Sequence, residues 1–331
     1  MTSIEKKEVT RSRGLAKLAL LAFALAGAPA RVEAPAAGRT EPAAREQAPL
    51  TDRVVIISID GLGPDVLKES FAPNLRSLMA KGSYTLSALT TETVKTLPSH
   101  VSMLTGVTPE KHGVLWNDAF HGYPKVPTLM EVVKRARPGL TTALVAGKPK
   151  FRTFLRSGVD WSFVPEAADV TDADVARQAA FLVREHQPNL LFVHLPNVDQ
   201  VGHAVGWGSL QQRAAVSRAD AAVGRVLDAL RGQGLLDQTA VIVTADHGGV
   251  GRNHEPGDAK SIRIPWLLSG PGVRRGFDLS KVPGLEVHTE DTFATASWLL
   301  GVPLAPEVDG RPVACAMRAA GAQPSTPRVG D

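Results

Sequence analysis

Short apolar runs recur along the chain, separated by longer stretches with helical spacing. Val54–Ile59, Thr142–Val145, Leu190–Leu195, Ala240–Thr244 and Ile264–Leu268 are short, and β-branched residues are frequent in them. Continuous rather than alternating hydrophobicity predicts strands buried on both faces. Between these runs, Leu75, Leu78 and Met79 sit at helical spacing, and Thr128–Ala136 reads as a short helix ended by Pro138 and Gly139. Thr171-Asp172-Ala173-Asp174 supplies an N-cap and an acidic first turn for a helix that runs to Glu185. Val223, Val226, Leu227 and Leu230 form one stripe of a helix over Leu210–Leu230, which Gly232 and Gly234 stop. Thr289–Leu300 reads as a last amphipathic helix. Strands alternating with helices predict an α/β fold of three layers, α/β/α, around a mostly parallel central sheet.

The two ends of the chain stand outside this pattern. Lys6, Lys7, Arg11, Arg13 and Lys17 make a basic start, an apolar run covers Leu18–Ala28, and Ala28-Pro29-Ala30 ends in small residues. That order predicts a secretory signal peptide over residues 1–30. The run falls short of the roughly 20 residues that span a bilayer. Lys17 and the small residues that follow weigh against the alternative, an uncleaved anchor. The expectation is an exported protein, periplasmic or secreted, with no stable membrane span after signal cleavage. Residues 31–50, rich in Ala, Pro, Glu and Arg, read as a flexible linker, 51–318 as the folded domain, and 319–331 as a disordered tail.

Charge and cysteine content narrow the chemistry. Removing the five positive and two negative residues of the signal takes the formal charge from +4 to +1, and no basic stripe for nucleic acid stands out in the remainder. The single cysteine, Cys315, excludes an intramolecular disulfide and a multi-thiolate metal site. Any metal must therefore be held by His, Asp and hydroxyl oxygen.

In open α/β sheets, ligands bind beyond the carboxyl ends of the strands. Asp60-Gly61 follows the first run, Asp199-Gln200-Val201-Gly202-His203 the third, and Asp246-His247-Gly248-Gly249 the fourth. Singly, each has a bland reading as a turn or a surface pair. Together they place three Asp and two His at one edge, which predicts a metal or phosphate site. Thr96-Leu97-Pro98-Ser99-His100 precedes the apolar stretch Val101–Leu104, and Pro98 suits a first helical turn. Thr96 then lies at a helix N-terminus, where an anion is welcome and where metal coordination would activate its hydroxyl. The bland reading is that Thr96 is an N-cap.

These segments resemble the alkaline phosphatase superfamily, and most closely its type I phosphodiesterase/nucleotide pyrophosphatase branch. Thr93–His100 is similar to the branch's Thr-Phe-Pro-Asn-His nucleophile segment, with Leu97 and Ser99 as departures. Thr105-Gly106, Pro109–Gly113, Asn117, Asp199-x-x-Gly-His203 and Asp246-His247-Gly248 follow in the family's order, so the likeness covers roughly Arg53–Pro312. It implies an alkaline-phosphatase-like fold and two divalent metal ions, Zn²⁺ with Mn²⁺ as the alternative. One ion would be bound by Asp60, Thr96, Asp246 and His247. The other would be bound by Asp199, His203 and a third histidine, for which His254 is the candidate and His288 the reserve. It further implies that Thr96 attacks a small-molecule phosphate ester to form a phosphothreonine, with Asn117 hydrogen-bonding the phosphoryl oxygens.

Lys148, Lys150 and Arg152 read either as a second anion site or as a solvated basic loop, and Trp207 as a substrate rim or a packing residue. His100 and His112 read as structural. Sulfatases share the fold but use a Cys or Ser in a Cys-x-Pro-x-Arg context, which Thr96 does not fit. With no Arg near Thr96 or Asp60 in sequence, diesters or nucleotide pyrophosphates are the first expectation, and phosphomonoesters or a phosphonate such as phosphonoacetate the second. A catalytically silent binding protein of the same fold is the non-enzyme alternative.

Overall fold

A computed structural model describes residues 48–167 and 170–318. The signal peptide, all but the end of the linker and the tail lie outside them. Eight strands form one sheet: β1 (Arg53–Ile59), β2 (Ser83–Leu89), β3 (Thr142–Ala146), β4 (Trp161–Phe163), β5 (Leu190–Leu195), β6 (Thr239–Thr244), β7 (Arg263–Ser269) and β8 (Phe277–Asp278). Their order is β4-β3-β5-β1-β6-β7-β2-β8. β4, β3, β5, β1 and β6 run parallel, while β7 is antiparallel to both β6 and β2. All five expected runs are strands. β3, β5 and β6 are buried throughout, as is β1 beyond Arg53, because helices cover both faces.

The helices form two groups. Pro64–Glu69, Pro73–Lys81, Asp172–His186 and Asn197–Val205 pack around the long helix Leu210–Gly232. Thr96–Thr105, Leu129–Ala136 and Asp291–Leu299 make up the other. Capping boxes fix two starts, Thr171 with Asp174, where a cap was expected, and Thr128 with Glu131. The last helix departs from expectation: it is buried on nearly all sides rather than amphipathic. Two of its threonines are satisfied inside, Thr292 accepting from Trp266 Nε1 at 3.1 Å and Thr295 from Val313 N at 3.0 Å.

The order β3-β5-β1-β6 sets four strand ends side by side. Everything these strands deliver past their carboxyl ends must converge, which fixes where the chemistry can be.

Candidate active site

Asp60 directly follows β1, and its N–H extends the ladder to Leu195 O at 3.0 Å. Asp246 and His247 follow β6, and Lys148 lies just past β3. After β5 the chain turns into the helix Asn197–Val205, which puts Asp199 and His203 four residues apart on one face. Gly61, at φ +72°, lets that helix approach: a Cβ there would stand 2.8 Å from Asp199 Cα.

Thr96 is the first residue of the helix Thr96–Thr105 and 2% exposed. The N-cap is Lys95, so the bland role for Thr96 falls away. Val94, a β-branched residue at φ 40°, makes a strained lead-in to this turn. Ser99 donates to Asp246 O at 2.9 Å, and Thr90 donates to the same carbonyl, tying the helix start to the end of β6. His100 Nδ1–H donates to Thr96 O at 2.7 Å while its Nε2 accepts from Ser58 Oγ at 2.8 Å. His112 is held between Ser102 and Val114 N–H. Both histidines are structural, as expected. Asn117 Oδ1 accepts from Leu97 N–H at 2.8 Å and from Lys150 Nζ at 3.0 Å, which leaves its amide N–H groups to donate.

The three carboxylates are buried together. Lys148 Nζ lies 2.6 Å from Asp60 Oδ2 and 2.6 Å from Asp199 Oδ2. His247 Nε2 is 3.3 Å from Asp246 Oδ2, 3.5 Å from Asp60 Oδ1 and 3.9 Å from Asp199 Oδ1. His203 Nε2 stands 3.3 Å from Asp199 Oδ1, with its Nδ1–H donated to Arg252 O at 2.9 Å. His254 stacks on His247 with ring centroids 3.9 Å apart. The solvated-loop reading of Lys148 is therefore wrong: its position past β3 carries it inward, between carboxylates from two neighbouring segments. His288 is exposed and pairs with Glu286 instead of joining the cluster.

His194 was not legible as a site residue. It sits within β5, and its Nε2–H donates to Asp60 Oδ2 at 2.9 Å. Its Nδ1 accepts from Gly147 N–H at 3.4 Å, which fixes that tautomer.

Burial by itself would raise all three carboxyls. Lys148 and the hydrogen bond from His194 overcome it at Asp60, which is held well below the usual range. At Asp199, burial and Asp60 are outweighed by Lys148, His203 and His247, so that carboxyl also lies low. At Asp246, burial and then repulsion from Asp60 and Asp199 win, pushing it well above the usual range. The cluster thus carries more negative charge than Lys148 compensates. Burial lowers His254 to about 4, leaving the neutral imidazole that a metal requires.

Divalent metal ions fit this site. Among the described residues, eleven buried side-chain polar atoms lack a hydrogen-bond partner, and five belong here: Asp60 Oδ1, Asp199 Oδ1, Asp246 Oδ2, His247 Nε2 and His254 Nδ1. Such a concentration of orphaned acceptors calls for cations. Ligand atoms of Asp60, Asp246 and His247 lie within 4.8 Å of one another, as do those of Asp199, His247 and His254. The donor set is all nitrogen and oxygen, suited to Zn²⁺ or Mn²⁺.

Trp207 serves mainly as a wall. Its Nε1–H donates to Gly61 O at 2.9 Å, and its ring fills the space where a Gly249 side chain would be, 2.4 Å from a Cβ there. A groove of about 890 Å³ runs past Trp207 and contains none of the candidate metal ligands.

Family models and relatives together show a protein of the alkaline phosphatase superfamily. The sequence model of type I phosphodiesterase/nucleotide pyrophosphatase matches residues 54–255, so the chain belongs to that family. A sulfatase model matches residues 210–302, a stretch that does not reach Thr96. An uncharacterized pyrophosphatase/phosphodiesterase of Schizosaccharomyces pombe is 27% identical over 219 residues, covering 59% of this chain and 44% of that protein. Human ectonucleotide pyrophosphatase/phosphodiesterase family member 1 is 25% identical over 254 residues, covering 68% and 27%. The chain thus spans less than half the length of these relatives. Murine ectonucleotide pyrophosphatase/phosphodiesterase 5, solved as an inactive variant with AMP, shares the fold at a TM-score of 0.65 and 16% identity, covering 77% of this chain and 96% of that one. A 2-O GAG sulfatase superimposes with a TM-score of 0.65 at 16% identity, covering 81% and 74%.

Proposed function

We propose that the protein is an exported, metal-dependent hydrolase of phosphate esters that acts on phosphodiesters or nucleotide pyrophosphate bonds through a phosphothreonine at Thr96. The convergence of five orphaned ligand atoms on the strand ends beside the Thr96 helix carries this reading. Asp60, Thr96, Asp246 and His247 would hold one ion, and Asp199, His203 and His254 the other. Bound there, divalent ions would lower the pKa of a hydroxyl and stabilise charge on a leaving oxygen.

The residues of the chain supply the rest. Thr96 Oγ1 attacks phosphorus, a P–Oγ1 bond forms, and the bond to the leaving oxygen breaks. Water then attacks phosphorus in the threonine adduct, which for a diester still carries its second ester group, restoring the Thr96 hydroxyl and releasing the monoester. A monoester substrate would leave a plain phosphothreonine and release phosphate. The Thr96 N–H at the helix start and the Asn117 amide N–H groups donate to the phosphoryl oxygens. Lys150 and Leu97 N–H fix Asn117 by its oxygen, so its nitrogen presents the donors. A small-molecule ester is the partner. The names of the ectonucleotide relatives fit an exported protein.

One observation favours the second reading, a phosphomonoesterase or phosphonate hydrolase. Monoesters carry an extra charge, and Lys150 Nζ beside Asn117 provides a cation that sequence distance from Thr96 concealed. A silent binding protein fits less well, because all seven ligand positions hold competent residue types.

The test is turnover of bis-p-nitrophenyl phosphate and p-nitrophenyl phosphate by wild type and Thr96→Ala, before and after chelation and Zn²⁺ or Mn²⁺ restoration. Metal-restorable turnover that Thr96→Ala lacks is expected, and the preferred ester separates the two readings. A wild type that binds no metal and cleaves neither ester contradicts both.

A further inference from the structure

Lys148 is the best-buried lysine of the site, with its side chain 11% exposed. It reaches one carboxylate from each proposed metal half-site, Asp60 and Asp199, at 2.6 Å in both cases. In each it takes the same atom, Oδ2, and in each the other oxygen, Oδ1, is buried without a hydrogen-bond partner. His194 adds a second donor to Asp60 Oδ2. The carboxylates are thus divided: Oδ2 belongs to the protein, and Oδ1 is left for a ligand. A lysine that bound substrate would keep its ammonium turned to solvent, whereas this one is committed to two charged acceptors.

We infer that Lys148 is a built-in counterion that keeps the site assembled when no metal is bound. This inference rests on the two-metal reading. Asp60 and Asp199 carry like charge and share one ammonium, and stripping that ammonium from them leaves uncompensated charge in a dry interior. The metal-loaded protein has divalent charge to offset that loss, and the metal-free protein has none. Replacing Lys148 by an uncharged residue therefore destabilises the metal-free state more than the loaded one. By linkage, whatever raises the free energy of the metal-free state alone tightens metal binding.

The direction separates this role from others. An organiser needed with the metals in place predicts weaker binding on substitution, and a substrate contact predicts no change. Thermal unfolding with and without Zn²⁺, and calorimetric Zn²⁺ titration of the chelated protein, would be run on wild type, Lys148→Met and Lys148→Gln. Both variants are expected to bind Zn²⁺ about tenfold more tightly or better, with a larger Zn²⁺-dependent rise in Tm than wild type. A variant that folds only with Zn²⁺ is the extreme form of this result. Variants that bind Zn²⁺ equally or more weakly, or that stay unfolded at saturating Zn²⁺, overturn the inference. A wild type whose Tm does not respond to any divalent metal overturns the two-metal reading itself, which sets the two failures apart.

Discussion

His194 holds Asp60 from the neighbouring strand, its Nε2–H donating to Oδ2 at 2.9 Å. In register, His194 lies opposite Ser58, two residues before Asp60, so the sheet itself aims the ring at the carboxylate. Burial keeps the imidazole below its usual pKa and hence neutral. A hydrogen-bond partner behind a metal-ligating carboxylate sets which oxygen faces the ion.

His194→Leu is accordingly expected to weaken Zn²⁺ affinity by about 10- to 100-fold. Zn²⁺ titration measures this, with circular dichroism as a check that the fold persists. An unchanged affinity would mean that Asp60 needs no orienting partner.

The two candidates for the last ligand separate cleanly. His254 stacks on His247 with a buried, unpartnered Nδ1, whereas His288 is exposed and paired with Glu286. His254→Ala should lose one equivalent of tightly bound metal and most of the activity, and His288→Ala should lose neither. Metal content by mass spectrometry of the two purified variants decides it, and the reverse pattern would move the second half-site.

Gly61→Ala is expected to disable the site without touching a ligand. The added Cβ meets Asp199 Cα at 2.8 Å and Cβ at 2.9 Å, at a φ of +72° that L residues rarely adopt. The backbone term alone is about 1–3 kcal/mol. Urea unfolding and activity should both fall, and a wild-type kcat would show that the helix carrying Asp199 can shift freely.

Asp172 gives the fold a pH dependence. Its Oδ1 accepts from Asn197 N–H at 2.9 Å while Oδ2 is buried without a partner, and burial raises the carboxyl to about 7. The unfolded chain releases this proton at about pH 3.9. Between those values the folded protein holds the extra proton, so this group's contribution to stability falls as pH rises from about 4 to about 7 and levels off above. Asp172→Asn keeps the acceptor and removes the titration. Compared with wild type, the variant should lose less stability between about pH 5 and about pH 8 in urea midpoints. Parallel curves would assign the slope to other groups.

The sequence was most legible where one periodicity ruled. β1, β3, β5, β6 and β7 were plain because strands buried on both faces must be apolar at every position. β2 was hidden because Ser83–Leu89 mixes Ser, Tyr and Thr with apolar residues and slips register between Thr85 and Ala88. β4 and β8, of three and two residues, are too short to show a period. Asp60, Asp199 and Asp246 were legible because β1, β5 and β6 run parallel and so put their carboxyl ends at one edge. His194 was not, since inside an apolar run a histidine reads as a packed residue until the register reveals its neighbour. Lys148 misled for the opposite reason: beside Lys150 and Arg152 it reads as solvated, and only the turn after β3 buries it. The distance of Lys150 from Leu97 along the chain likewise concealed their common tie to Asn117.

The proposed mechanism requires a covalent bond between Thr96 Oγ1 and phosphorus during turnover. Rapid acid quench of the metal-loaded enzyme with bis-p-nitrophenyl phosphate, followed by peptide mass spectrometry, addresses it directly. A p-nitrophenylphosphoryl adduct is expected on the peptide containing Thr96, formed within one turnover and absent from Thr96→Ala. Full turnover by Thr96→Ala, with no adduct in the wild type, would contradict that mechanism.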